Sequence, residues 1–353
     1  VAKHGPDLFG VITHMTDTAT APTGEQQPEQ SKGNAAVEWL KGQYALFILI
    51  VLLIIAALSS PAFLTPTNIT NLLLQMSIIG VVVMAELIIV LTGGIDISVG
   101  SALGLAAVLS AGLFGGFSVW FALLVALAVG GLIGVVNGWL VAFRGLEPFI
   151  VTLGMLALAR GLVYAYSEGI PITPQASDTF AQIGQTTVLG IPVLTLIWIA
   201  MVLLIAFLLT RTVWGRRVYA IGSNKEASRS SGIPVRATLW SVYILAGVLV
   251  GLGGWMFVCR FGSATALAGN LMELEAIAAV VIGGAALSGG RGTVFGAVIG
   301  TIIFQVITNL LSLLNVSTFL QDAFRGALIL VAVTLATVQF ARKRTKSPQP
   351  ATK

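Results

Sequence analysis

An all-α polytopic membrane protein, with about ten transmembrane helices and both termini cytoplasmic, is the fold class this sequence predicts, and three observations predict it. Only 9% of the 353 residues are charged and 56% are hydrophobic, where soluble domains carry roughly 25% charged residues. Such a chain lacks the polar surface to face water all round. Ten separated apolar runs approach the ~20 residues a helix needs to cross the hydrocarbon core. Ten crossings from a cytoplasmic N-terminus leave 16 of the 19 Lys and Arg on the cytoplasmic side, as the positive-inside bias requires.

The runs are Tyr44–Leu58, Ile69–Leu91, Val99–Phe114, Val119–Phe143, Phe149–Ser167, Ile191–Thr210, Thr238–Cys259, Leu271–Leu287, Val294–Leu314 and Phe319–Phe340. They contain no alternating pattern of barrel strands, so helices are the way to satisfy backbone polar groups in lipid. Residues 41–341 form one membrane domain. Residues 1–40, rich in Thr, Gln, Pro and Gly, read as a disordered cytoplasmic tail; they hold no apolar h-region and so no cleaved signal peptide. Residues 342–353 read as a short basic tail. A single cysteine, Cys259, excludes an intrachain disulfide. The two histidines, His4 and His14, both fall in the N-terminal tail, which leaves no His-based metal site in the body.

Charges inside the runs are expensive and therefore informative. Glu86 needs a partner or a wet surface. Arg160 has no sequence-local partner and is expected to face protein or water. Arg325 follows Asp322 by three residues, so the two share a helix face and can pair. Arg260, at the end of its run, can snorkel. Two segments recur: Gly93–Gly100 (GGIDISVG) reads like Gly283–Gly290 (GGAALSGG), and Ala159-Arg160-Gly161 like Phe324-Arg325-Gly326. Gly-interrupted helices at matching places in two halves mark a transport pathway, although small residues also serve close helix packing.

Two loops stand apart. Residues 168–190 are the longest external segment, polar and rich in turn formers. Residues 211–236 are the longest internal one. There Asn224 is placed to N-cap a short helix over Lys225–Ser230, with Gly232-Ile233-Pro234 as its stop. Such a charged helix at the cytoplasmic face suits force reception from a soluble motor, and it equally suits an ordinary basic loop. For a path for polar solute the candidates are Asp96, Ser98, Asn137, Glu273 and Glu275. Asp96 could instead cap the third helix, and Glu273 and Glu275, at the outer end of the eighth run, could serve the helix dipole.

Four stretches, in order and spacing, carry a family resemblance: Thr92–Ser101; Asn137-Gly138 ahead of Glu147–Gly154; Ala220–Asn224; and Glu273–Gly284 running into Ser288–Gly292. Over roughly residues 44–340 the chain resembles the permeases of bacterial ATP-binding cassette importers for ribose-, xylose- and galactose-type sugars. Such permeases carry a cytoplasmic coupling segment of the form Glu-Ala-Ala, three residues, Gly. Here Glu226-Ala227-Ser228 with Gly232 is similar, with Ser in place of the second Ala and without the usual Ile-x-Leu-Pro ending.

The resemblance implies that Asn224, Lys225, Glu226, Ala227, Arg229 and Gly232 meet an ATPase. No Gly-x4-Gly-Lys-Ser/Thr phosphate loop is present, so the chain is not expected to be an enzyme or to hold a cofactor; ATP and Mg belong on the partner. The implied partners are a cassette ATPase with two nucleotide-binding domains, a second permease copy as a homodimer and an extracytoplasmic solute-binding protein that docks partly on residues 168–190. The solvent is the lipid of the bacterial inner membrane, and no nucleic acid is involved. The other reading, an ion-coupled secondary transporter of a small polar solute, explains the spans and buried charges but leaves residues 215–234 without a use.

Overall fold

Stretches too apolar to end in water end instead at capping residues. The computed structural model describes residues 44–113, 118–328, 330 and 334. The first five helices are α1 (Tyr44–Ser59), α2 (Pro66–Leu91), α3 (Val99–Gly112), α4 (Val119–Ala142) and α5 (Pro148–Ser167). A short α6 (Ser177–Gln185) and a hairpin of β1 (Thr187–Val188) with β2 (Ile191–Pro192) lead into α7 (Val193–Arg211). Then come α8 (Val213–Ser223), α9 (Lys225–Ser230), α10 (Val235–Phe261), α11 (Met272–Ile282) and α12 (Val294–Leu313). Residues 318–328 are helical again.

The ends follow local chemistry. Thr65 accepts from the Asn68 amide and Pro66 sits at the first position of α2, where its missing N–H costs nothing. Thr293 caps α12 through the Gly296 amide at 3.0 Å, and Gly262 closes α10 in the left-handed region.

Among the described residues six helices, α2, α4, α5, α7, α10 and α12, are long and apolar enough to cross a membrane. The apolar part of α1 and all of α3 are shorter. The run Leu271–Leu287 is not one continuous span: its helix, α11, holds 11 residues and is entered through irregular backbone from Gly262. The external segment 168–190 is also more ordered than its composition suggests. α6 buries Phe180 and Gly184, packs on α10, and Ile172 exchanges both backbone hydrogen bonds with Ala264 at 2.8 Å. An apolar face four residues wide (Phe180, Gly184) is easily lost among turn formers. Residues 1–40 and 342–353, and most of the run Phe319–Phe340 past 328, lie outside the described residues.

α10 is the hub, packed against α2, α3 and α4, while α2 also meets α7, α11 and α12. Of the most apolar stretch of α2, 83% is buried, against 28% in α5 and in α7. The outer faces of these peripheral helices show Leu158, Leu203 and Phe207, a surface suited to lipid. Between α4 and α10 the backbones touch: a Cβ on Gly130 would strike the Gly247 carbonyl, and one on Gly247 the Gly130 carbonyl. Small residues permit this approach where lipid removes the hydrophobic drive for association. Across α2 and α12, Asn68 and Asn309 exchange reciprocal amide hydrogen bonds of 3.0 and 2.8 Å.

The α4–α10 contact predicts a sharp asymmetry. Gly130→Leu must separate two backbones and is expected to lose about 3 kcal/mol or more, read as a loss of monodisperse protein on heating in detergent. Gly161→Leu, where an added Cβ meets nothing within 4 Å, is expected to behave as the parent.

Candidate functional site

The first helix break follows Leu91. Gly93 adopts φ 83°; its amide bonds the Val90 carbonyl at 2.9 Å and that of Gly94 reaches Ile89, a left-handed helix stop. The chain then doubles back. The Asp96 amide donates to Glu86 Oε1 at 3.3 Å, so α3 starts more than a turn short of the end of α2. Glu86 thus pairs with a backbone amide, and its Oε2 has no partner. Asp96 Oδ1 accepts from the Ser98 amide at 2.7 Å and its hydroxyl at 2.6 Å. Ser98 holds the N-cap position of α3, so Asp96 is not the helix cap: it fixes the turn ahead of it. Asn137 donates to Ser98 Oγ at 3.1 Å, and Thr152 of α5 accepts from the Ile97 amide.

Asp96, Ser98 and Asn137 line one small cavity, and Tyr243 of α10 completes it. Asn137 Oδ1 and the Tyr243 hydroxyl are buried without protein partners. The cavity measures about 10 Å3, room for no more than one water. Tyr243 and Thr152 were not among the sequence candidates; a lone phenol within the apolar run Thr238–Cys259 was the available signal.

Glu273 and Glu275 belong to a second cluster. From Gly262 the chain runs irregularly down alongside α3, and α11 begins beside Gly100: the Glu273 carboxylate packs on the Cα of Gly100. Both glutamates lie in the first turn of α11 and are buried, and Glu273 is level with the first turn of α3. Arg160 finds its partners here, donating to the carbonyls of Ala266 and Ala268 at 2.9 and 3.0 Å. It satisfies unwound backbone that lipid could not. Arg325 bonds Glu275 and Asp322, each at 3.2 Å, so its sequence-local partner is shared with a distant one.

The second break follows α11. Gly284 takes φ 89°, its amide bonds Val281 and that of Ala285 bonds Val280. This is the stop seen at Gly93, one residue out of the register that the sequence likeness suggests. The likeness then ends, because α12 starts only at Val294. Tyr219 of α8 donates to the Gly292 carbonyl at 2.9 Å; burial pushes its phenol upward from the usual range, which keeps it a donor. Beyond α8, Asn224 accepts from the Ala227 amide at 2.9 Å and caps α9. Lys225, Glu226, Ala227, Arg229 and Gly232 are exposed, and Ser228 alone turns inward. Glu226 and Arg229 pair at 3.5 Å on a surface where such pairs contribute little.

Helices interrupted inside an apolar bundle, with unwound backbone satisfied by buried polar side chains, define a membrane transport protein. Residues 68–333 match the family described as branched-chain amino acid transport system / permease component, and the chain belongs to that permease family. It is 41% identical over 289 residues to the ribose import permease protein RbsC of Bacillus subtilis (strain 168), covering 81% of this chain and 90% of the relative. It is 37% identical over 318 residues to the D-allose transport system permease protein AlsC of Escherichia coli (strain K12), covering 90% and 97%. To the galactose/methyl galactoside import permease protein MglC of Salmonella typhimurium (strain LT2) it is 35% identical over 328 residues, covering 87% and 97%. No solved structure matches the chain. The protein is a multi-pass inner-membrane permease.

The Glu275–Arg325 pair gives a test of how the helix over residues 318–328 is held. Arg325→Ala strands a buried carboxylate and is expected to cost about 3–5 kcal/mol. Adding Glu275→Gln should recover most of that loss, as a double-mutant cycle on thermal stability in detergent would show.

Proposed function

We propose that this chain is the translocation subunit of an ATP-binding cassette importer for a monosaccharide, with ribose the first sugar to test. The observation that carries the reading is α9: a capped helix, pinned by one inward side chain and otherwise uncovered, in a chain similar to sugar import permeases. A membrane protein has no structural need for such a knob. A partner ATPase with two nucleotide-binding domains, carrying ATP and Mg, would give it one. An ion-coupled transporter would leave it idle.

The topology proposed has ten crossings with both termini cytoplasmic, residues 41–341 as the permease domain and short tails at 1–40 and 342–353. α9 then lies in the cytoplasm with Asn224, Lys225, Glu226, Ala227, Arg229 and Gly232 toward the ATPase. Residues 168–190 face an extracytoplasmic binding protein, and a second copy of the chain completes the path. Asp96, Ser98, Asn137, Glu273 and Glu275 flank the start of α3, and we assign them to the path wall. A cavity of one-water size at Asp96 fits a closed state, in which sugar passes only after the helices shift between two populations.

Two variants test the coupling assignment. Gly232 has φ 78°, which Pro cannot adopt, so Gly232→Pro distorts the end of α9. Glu226→Lys reverses its charge. Each is expected to cut uptake of radiolabelled ribose at least tenfold in cells while the variant still inserts in the membrane, and to reduce recovery of the ATPase in a mild-detergent pull-down. Unchanged uptake and unchanged recovery for both would remove the assignment. Loss of ribose uptake in the parent strain, with the ATPase recovered, would change only the sugar.

A further inference from the structure

Two residues before the α9 cap, the chain touches both helix breaks at once. Gly290 of the second break donates its amide to the Leu91 carbonyl at the end of α2, at 2.9 Å. Gly222 of α8 lies directly over that hydrogen bond: a Cβ there would collide with the Leu91 carbonyl on one side and the Gly290 amide on the other. Both obstacles are backbone, so no side-chain rotation would relieve them. A Cβ on Gly289 would meet the Gly93 amide at 2.7 Å and the Gly222 carbonyl at 2.9 Å, and one on Gly290 would meet Ser223. Three backbones from α2, α8 and the α11–α12 connection therefore meet at van der Waals distance with no side chain between them. Tyr219, one turn earlier on α8, adds the hydrogen bond to the Gly292 carbonyl.

The geometry points to Gly222 as the residue through which displacement of α9 moves both helix breaks together, with Tyr219 as a second attachment to the same connection. Side chains at an interface absorb a small shift by changing rotamer; backbone in direct contact transmits it. α9 is joined to Gly222 by Ser223 alone apart from its cap, and Ser223 is itself pressed on Gly290. α8 thus acts as a rigid arm between an exposed knob and the two places where the bundle's helices are interrupted. On this reading the polar groups around the first break, Asp96 and Ser98, answer to the same movement as the second break. Gly222 and Tyr219 are positioning residues and touch no solute.

The inference rests on α9 being the ATPase contact, and the test separates the two. Ser288, exposed in the second break, is replaced by Cys in the full chain; Cys259 is 1% exposed and gives the background. The complex with its ATPase is purified, and labelling by a small methanethiosulfonate reagent is timed with and without ATP under non-hydrolysing conditions. In Ser288→Cys alone, ATP is expected to change the labelling rate severalfold. Adding Gly222→Ala should abolish that change while the ATPase still co-purifies and binds ATP, and adding Tyr219→Phe should shrink it at least twofold. An undiminished ATP response in either second variant overturns the proposal. If Gly222→Ala fails to fold, Tyr219→Phe, which removes one oxygen and no packing volume, decides the matter. Failure of the parent complex to form, or no response to ATP in Ser288→Cys alone, overturns the role of α9 and this inference with it; a lost response only in the double variants supports it.

Discussion

A helix that stops inside an apolar bundle leaves amides and carbonyls that no solvent there can satisfy, and two such stops, after Leu91 and after Ile282, fall within the described residues. How those groups are answered determines most of what surrounds them. At the first break a left-handed glycine folds the chain back, and Glu86, Asp96, Ser98, Asn137 and Thr152 take up the loosened backbone and one another. Ahead of α11 the irregular stretch has its carbonyls bonded by Arg160. Glu86, Asp96 and Arg160, which look anomalous in an apolar sequence, answer interrupted backbone. Their cost in the membrane is offset by groups that would otherwise be stranded.

The two breaks are also where the sequence was most and least readable. Gly93-Gly94 and Gly283-Gly284 announce a helix stop, and Asn224 with Gly232 brackets α9, because capping is a local property of a few residues. Six of the apolar runs fall on helices long enough to cross, because lipid makes hydrophobicity nearly sufficient to mark one; the run Leu271–Leu287 holds a helix of only 11 residues, and most of Phe319–Phe340 lies outside the described residues. Harder to read was depth. Glu273 and Glu275 belonged by count to an outer end, and only the irregular stretch from Gly262, which has no periodicity to recognise, carries Glu273 to the level of Gly100. Arg160 could not be assigned its partners because they are carbonyls about a hundred residues away, and a carbonyl leaves no mark in a sequence. Tyr243 was overlooked because a phenol in an apolar run reads as packing until its hydroxyl is seen to lack a partner.

The candidate site was legible in the same uneven way. Asp96, Ser98 and Asn137 do meet around one cavity, although nothing in their spacing fixes the contact of Asn137 with Ser98, which spans two helices. The exposed side of α9 was legible because charge, cap and stop coincide within ten residues. The junction under it was not, because glycines meeting backbone to backbone have no chemical signature beyond their absence of side chain.

One dimension of the bundle has a further consequence. α2 and α10, at the centre, hold 26 and 27 residues, whereas the peripheral α5 and α7 hold 20 and 19. At the α-helical rise these correspond to about 39–40 Å and about 29–30 Å, beside a hydrocarbon core of about 30 Å. The lipid-facing α5 and α7 match the bilayer, α4 with its 24 residues is longer, with 39% of its most apolar stretch buried, and the two longest, α2 and α10, are largely shielded by protein. For α2 and α10 the tilt is set by side-chain packing and not by acyl-chain length. A thicker or thinner membrane would act on the outer ring first, leaving the crossing of α2 and α10, and the breaks hung from them, insulated from the lipid the cell happens to make.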